Sequence, residues 1–189
     1  MKYSYYDKYI NKNTTKRYDS TPIFSNPKVF SNLIKDLTKP FKNFNKVVGL
    51  DALGFIIGGA ISNKLKIGFI PIRKGGKLPG IKGTVLRTSF VDYTKTKKTF
   101  EINKNSIKKG DKILIVDDWI ETGAQMKAAI KLIEKLKGKV IGITVLKAHK
   151  NKKTKILFDN YNCKAIGIKE WNYPQTSGNI TYTISFSYL

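Results

Sequence analysis

The sequence predicts an α/β fold, a central parallel β-sheet flanked by helices. Three observations carry this. Four runs, "KVVGL", "KIGFIPI", "DKILIVDD" and "KVIGITVLK", are apolar throughout rather than alternating, as in strands covered on both faces. Segments with apolar residues at helical spacing lie between or before them, the order expected of a parallel sheet. The most hydrophobic run ends in Asp117 and Asp118, and a Thr-Gly turn then leads into a helix. Ligands of open parallel sheets bind at that kind of edge.

In chain order, residues 1–20 read as a flexible or loosely docked arm, because they are polar and aromatic without a long apolar period. Residues 26–37 read as a helix. Val29, Phe30, Leu33, Ile34 and Leu37 share one face, Asn26 is the candidate cap and Pro27 occupies the first turn. "KVVGL" is the first strand, "DALG" a turn and "FIIGGAISNKL" a glycine-rich apolar helix. "KIGFIPI" is the second strand, followed by the loop "RKGGKLPG". "TVLRTSFVDY" and "KKTFEI" alternate as an antiparallel pair and give a flexible β-hairpin. "DKILIVDD" is the third buried strand. A helix over 123–137 places Met126, Ala129, Ile130, Ile133 and Leu136 on one face, and "KVIGITVLK" is the fourth strand. The tail "NITYTISFSYL" alternates like an amphipathic strand. A single domain over 1–189 is expected, with a core of about 28–150 and a small hood from 1–27 and 151–189.

Composition narrows the classes. Hydrophobic residues make up 41% and charged residues 26% of 189, which reads as globular. No apolar run approaches the roughly 20 residues that span a bilayer, and the N-terminus lacks the apolar core of a signal peptide. A cytoplasmic protein without membrane contact is expected. One cysteine, Cys163, excludes an internal disulfide framework, and one histidine, His149, argues against a histidine metal site. Both read as incidental. The net charge of +23 is mostly lysine distributed along the chain. It reads as a solvated surface, part of which serves a phosphate-rich substrate, rather than as a nucleic-acid site.

The acidic pair states the chemical problem. A turn of small residues before a helix exposes backbone N–H groups, and the helix dipole adds about half a positive charge. Residues 121–125 therefore form a cradle for one phosphate. Two carboxylates just upstream would repel it unless they serve as acceptors for sugar hydroxyls. A nearby magnesium ion would offset what repulsion remains. A sugar phosphate satisfies all of these groups together.

A strand ending in Asp-Asp, followed shortly by Thr-Gly, resembles the phosphoribosyl-pyrophosphate motif of type I phosphoribosyltransferases. The likeness is broader than the motif. Residues 49–80 and 102–146 resemble two blocks of adenine phosphoribosyltransferases, and "DSTPIFSNPKVF" is similar to their N-terminal segment. It covers about residues 17–147. A response-regulator receiver also ends a strand in an acidic pair, but 112 residues precede this run and too few follow.

The resemblance implies the type I phosphoribosyltransferase fold and a set of roles. Asp117 and Asp118 would hold the ribose hydroxyls and, through phosphoribosyl pyrophosphate, sit near Mg2+. Glu121, Thr122, Gly123, Ala124 and Gln125 would wrap the 5′-phosphate, with Gln125 standing where the family usually has threonine. Asp51, Ala52 and Leu53, together with Arg73, Lys74 and Lys77, would face the pyrophosphate. Leu53 takes the place of a family arginine, so one cation is missing. Lys77, Asp92 and Glu121 are the candidate catalytic groups. Arg17, Tyr18 and Trp119 are the candidate base contacts. Glu121 stands where adenine enzymes usually carry alanine and 6-oxopurine enzymes an aspartate. The expected reaction is transfer of the 5-phosphoribosyl group to a purine, adenine first, by a homodimeric salvage enzyme. Transfer to another base and a non-catalytic phosphoribosyl-pyrophosphate sensor are the alternatives.

Overall fold

The computed structural model describes residues 1–14, 18–80, 83–92 and 95–170. The sequence-predicted tail strand and the candidate Arg17 lie outside them. The helices are α1 (Tyr3–Asp7), α2 (Thr21–Ser25), α3 (Pro27–Thr38), α4 (Leu53–Leu65), α5 (Ala124–Lys135) and α6 (Lys155–Asn160). The strands are β1 (Lys46–Leu50), β2 (Gly68–Lys74), β3 (Val85–Val91), β4 (Lys97–Asn103), β5 (Lys112–Ile120), β6 (Lys139–Lys150) and β7 (Cys163–Glu170). Among the described residues they form one sheet in the order β3-β4-β2-β1-β5-β6-β7. β2, β1, β5, β6 and β7 run parallel, and the β3–β4 hairpin joins antiparallel at one side.

Alternation along the strands sorts the core onto two faces. Val48, Leu50, Ile113 and Ile115 pack with Met126, Ala129, Ile130 and Ile133 of α5. Val47, Leu114, Val116 and Leu146 pack against α1, α3 and α4. α3 starts where expected. The Asn26 side chain accepts from the amides of Lys28 and Val29, both at 3.1 Å, and Pro27 opens the helix. Its far end is pinned by the buried Thr144, whose hydroxyl donates to Leu37 O at 2.9 Å.

Glycine sets how closely α4 approaches the sheet. A Cβ at Gly49 would lie 2.4 Å from Gly54 O, and one at Gly54 would lie 2.8 Å from Val116 O. A Cβ at Gly58 would lie 2.6 Å from the Phe69 ring. Only glycine admits this contact, which brings the start of α4 beside the ends of β1 and β5.

Four local readings change. The N-terminal arm is packed rather than loose. Tyr6 and Ile10 are buried, and the Tyr6 hydroxyl donates to Asp36 at 2.6 Å. Tyr3, Tyr6 and Ile10 lie on one side, a spacing that the polar residues between them disguise. β2 continues to Lys74, because Arg73 and Lys74 pair with Glu101 and Phe100 of β4. β5 continues through Trp119 and Ile120, which pair with Lys147 and Ala148. Residues 151–170, read as hood, supply α6 and then β7, which pairs with β6 from Ile143↔Cys163 to Lys150↔Glu170. None of the described helices is long and apolar enough to cross a membrane.

Replacing Tyr6 with alanine should cost about 3–5 kcal/mol, the usual loss for a large buried ring. Urea unfolding of Tyr6→Ala measures this; a loss below about 0.5 kcal/mol is what a surface position would give.

Candidate active site

A cavity of about 400 Å³ opens at the carboxyl ends of β5, β6 and β7. Asp117, Asp118, Trp119, Glu121, Thr122, Gly123, Ala124 and Gln125 line one side, with Asp92 and Tyr18 also on the lining. The structure thus brings together the motif residues, the hairpin acid and two candidate base contacts. The carboxyl end of a strand, a short bend and a helix N-terminus meet there because β5 runs straight into α5.

The bend is built tightly. Gly123 has φ +73°, a left-handed conformation natural to glycine, and α5 begins at the next residue. The amide of Ala124 donates to the Thr122 hydroxyl at 3.4 Å. α6 backs the bend from behind, since a Cβ on Gly123 would lie 3.0 Å from Leu157 Cδ1. Thr154 ties α6 to β6 through its hydroxyl, which donates to His149 O at 2.7 Å. Asp117 is 7% exposed, and its Oδ1 accepts from the Asp118 amide at 3.0 Å. Asp118 is half-buried and Glu121 exposed.

The second group of predicted residues sits on neighbouring strands and does not line this cavity. Asp51, Ala52 and Leu53 follow β1. The Asp51 amide donates to Ile72 O at 3.1 Å, and its carboxylate accepts from the Lys74 amide at 3.3 Å. The Asp51–Ala52 peptide is cis. Arg73 and Lys74 end β2, and Lys77 lies exposed in the loop beyond. The Arg73 Nε is buried without a hydrogen-bond partner. Gly54 links the two groups, because its absent side chain would lie 3.2 Å from Asp117 Oδ1.

Glu101 holds the loop of cations in place. It is 1% exposed and accepts from Arg87 Nε at 2.6 Å and the Leu78 amide at 3.2 Å. Burial works against its charge, yet these donors and the Gly76 amide keep its carboxyl below the usual carboxylate range.

Three polar lining residues were not singled out for the site by the sequence: Lys147, His149 and Lys169. Lys147 and His149 alternate along β6, and His149 pairs with Lys169 on β7. The one signal in the sequence was that alternation at the carboxyl end of the fourth strand. The Lys147 ammonium lies 4.7 Å from the Trp119 ring centroid and 4.9 Å from that of Tyr3. Tyr18 meets Trp119 edge to face at 6.0 Å. Burial lowers the Lys147 pKa; Asp7 opposes this, while Lys169 and Lys12 add to the lowering. Burial, then Lys169 and Lys147, also lowers the pKa of His149, which is therefore neutral at pH 7.

Among the described residues no group of three or more His, Cys, Asp or Glu side chains could hold a metal ion. Asp117 and Asp118 supply a consecutive pair of carboxylates, a donor set suited to an ion that is also held by oxygens of a ligand.

Residues 23–176 match the family described as phosphoribosyl transferase domain. The chain belongs to the phosphoribosyltransferase family. The phosphoribosyltransferase is 44% identical over 128 residues to adenine phosphoribosyltransferase of Cereibacter sphaeroides, covering 66% of this chain and 68% of that one. It is 41% identical over 130 residues to the adenine phosphoribosyltransferase of Dinoroseobacter shibae, with 68% and 70% covered. Among solved structures, adenine phosphoribosyltransferase from Rhodothermus marinus superposes with a TM-score of 0.77 at 29% identity, over 89% of this chain and 98% of that one. The Giardia lamblia enzyme complexed with 9-deazaadenine gives 0.77 and 29% over 92% and 99%.

Two outcomes are expected of this geometry. Glu101→Gln should raise the mobility of residues 75–78, read as faster amide hydrogen exchange there than in β1. Unchanged exchange would leave Glu101 without that role. His149 binds its proton less readily folded than unfolded, so its contribution to stability is full above about pH 6.5 and declines as pH falls below it. The loss of stability on acidification from pH 7 to 5 should therefore be smaller in His149→Gln, measured by denaturant unfolding at each pH.

Proposed function

We propose that this phosphoribosyltransferase transfers the 5-phosphoribosyl group of phosphoribosyl pyrophosphate to adenine, giving AMP and pyrophosphate in base salvage. The observation that carries the reading is the bend over 121–125, set between the acidic pair of Asp117 and Asp118 and the α5 N-terminus at the mouth of a cavity lined in part by Trp119 and Tyr18. Its support from relatives is the agreement of their names.

In this reading the 5′-phosphate rests on the amides of residues 122–125, favoured by the dipole of α5. Asp117 and Asp118 accept from the ribose hydroxyls, which fixes C1 of the sugar. The diphosphate extends toward Asp51, Ala52, Leu53, Arg73, Lys74 and Lys77. Asp117 and Asp118 would lie near a magnesium ion carried by that diphosphate, which would offset its negative charge. The base lies against Trp119 and Tyr18. The C1–oxygen bond to pyrophosphate breaks as the C1–nitrogen bond forms. Lys77 and its neighbours stabilise the charge that develops on the leaving group. The proton lost by the base nitrogen passes to a carboxylate, Asp92 or Glu121, both on the cavity lining. The hairpin and the loop over 75–104 shield the reaction from water. A cytoplasmic homodimer completes the reading. The outward face of α4 supports the second copy, since Ile56 is 43% exposed and Gly59 has open space beside it.

Lys147 and Lys169 favour a second reading of the base. An ammonium donates and cannot accept. A wall carrying two of them suits a base that presents a carbonyl oxygen, a 6-oxopurine, better than one presenting an amino group.

The test measures pyrophosphate release with phosphoribosyl pyrophosphate, magnesium and adenine, hypoxanthine or guanine in turn. Turnover with adenine supports the first reading, turnover confined to the oxopurines the second. Binding of phosphoribosyl pyrophosphate without turnover of any base would make the protein a sensor, as Leu53 in place of a cation allows. Asp117→Asn combined with Asp118→Asn should lower turnover by about 100-fold or more; near-normal turnover would remove the site from this cavity.

A further inference from the structure

The fold does not leave its lysines as dispersed as the chain order suggests. The edge of the sheet opposite the cavity, where the parallel strands begin, gathers them from distant segments. β1, β5 and β6 open on Lys46, Lys112 and Lys139. β5 lies between the other two, and Lys112 pairs directly with Lys139. The turns that lead into these strands are bonded to one another. The Asn45 amide donates to Lys112 O at 2.9 Å, the Lys139 amide to Asp111 O at 2.8 Å and the Gly110 amide to Lys137 O at 2.9 Å. These bonds hold the exposed Lys108 and Lys109 beside the exposed Lys137.

Acidic groups do little to balance this edge. Asp111 is buried and taken up internally by the Lys46 ammonium at 2.7 Å and the Lys108 amide at 2.7 Å. Glu134, exposed in the last turn of α5, accepts from the Tyr161 hydroxyl at 3.2 Å. Among the described residues, Lys46 is the only one of these lysines in an ion pair. Lys66 at the end of α4 and Lys137 after α5 have φ of +56° and +62°, a conformation in which glycine would be the easier residue. The negative end of a helix accounts for lysine at those two places. It does not account for Lys108, Lys109, Lys112 or Lys139.

We propose that this edge docks a double-helical nucleic acid through its phosphate backbone. Lysine is a point charge suited to phosphate, and among the described residues no arginine stands here to read base edges. Single-strand binding would call for exposed rings on which bases stack, and among the described residues none of the exposed large apolar ones at this edge is aromatic. A membrane surface would call for several apolar anchors beside the lysines, and Leu65 is the only exposed one here among the described residues. Binding of this kind positions the protein on a duplex without reading its sequence.

The experiment is fluorescence anisotropy of a labelled DNA duplex titrated with the full-length protein at several salt concentrations. One variant replaces Lys108, Lys109, Lys112, Lys137 and Lys139 with glutamine. A second replaces Lys28, Lys97, Lys98, Lys152 and Lys153, the same loss of charge elsewhere. The edge variant should bind at least about tenfold more weakly and its salt slope should fall by up to about 4.5, near 0.9 for each phosphate no longer neutralised. The second variant should bind close to the wild type. Circular dichroism checks that both are folded, independently of any transferase activity. Equal loss in both variants, no saturable binding by the wild type, or tighter binding to phosphatidylserine vesicles than to the duplex would each overturn the proposal.

Discussion

The contact between the α4 backbone and the ends of β1 and β5 is the constraint on which the site depends. Gly49, Gly54 and Gly58 let a helix lie against a sheet at backbone distance. Any side chain at Gly54 would meet Val116 O and Asp117 Oδ1 together. Two loops with separate tasks, the one after β1 and the one after β5, are thereby fixed side by side. A looser helix would preserve the fold and lose the juxtaposition. This is why Gly54 and Gly58 stand in α4, where intrinsic propensity alone would disfavour them.

Much of this arrangement could be read from the residues in order. The buried strands announced themselves by uninterrupted apolar runs, α3 by its cap and period, and the motif by an acidic pair where a strand gives way to a helix. Two kinds of information were missing. The first was packing by aromatic residues: Tyr6 buries its ring and Tyr3 half-buries its own while their hydroxyls and neighbours keep the segment polar on average, so hydropathy hides α1. The second was convergence across strands. Lys147, His149 and Lys169 are ordinary residues one at a time, and only the β6–β7 register brings them to a common wall. The strand β7 itself, "CKAIGIKE", is too charged at its ends to stand out before its neighbour is known.

Electrostatically the molecule has two unlike ends. At the carboxyl edge of the sheet, carboxylates, cations and an electropositive helix start are interleaved within one cavity, as a ligand carrying both hydroxyls and phosphates would need. At the amino edge the lysines face outward and their nearest acid is already engaged inside. A parallel sheet makes this polarity possible, because every strand start lies at one rim and every strand end at the other.

The perch of Lys147 between Tyr3 and Trp119 joins three stretches of chain that otherwise have little in common. The first helix therefore touches one wall of the recess through Lys147, which also meets Trp119 of the motif. Selectivity in such a molecule can drift through changes in its opening residues while the acidic pair and its bend stay untouched. Divergence in what the recess accepts can thus be recorded in a segment that alignments centred on the motif pass over.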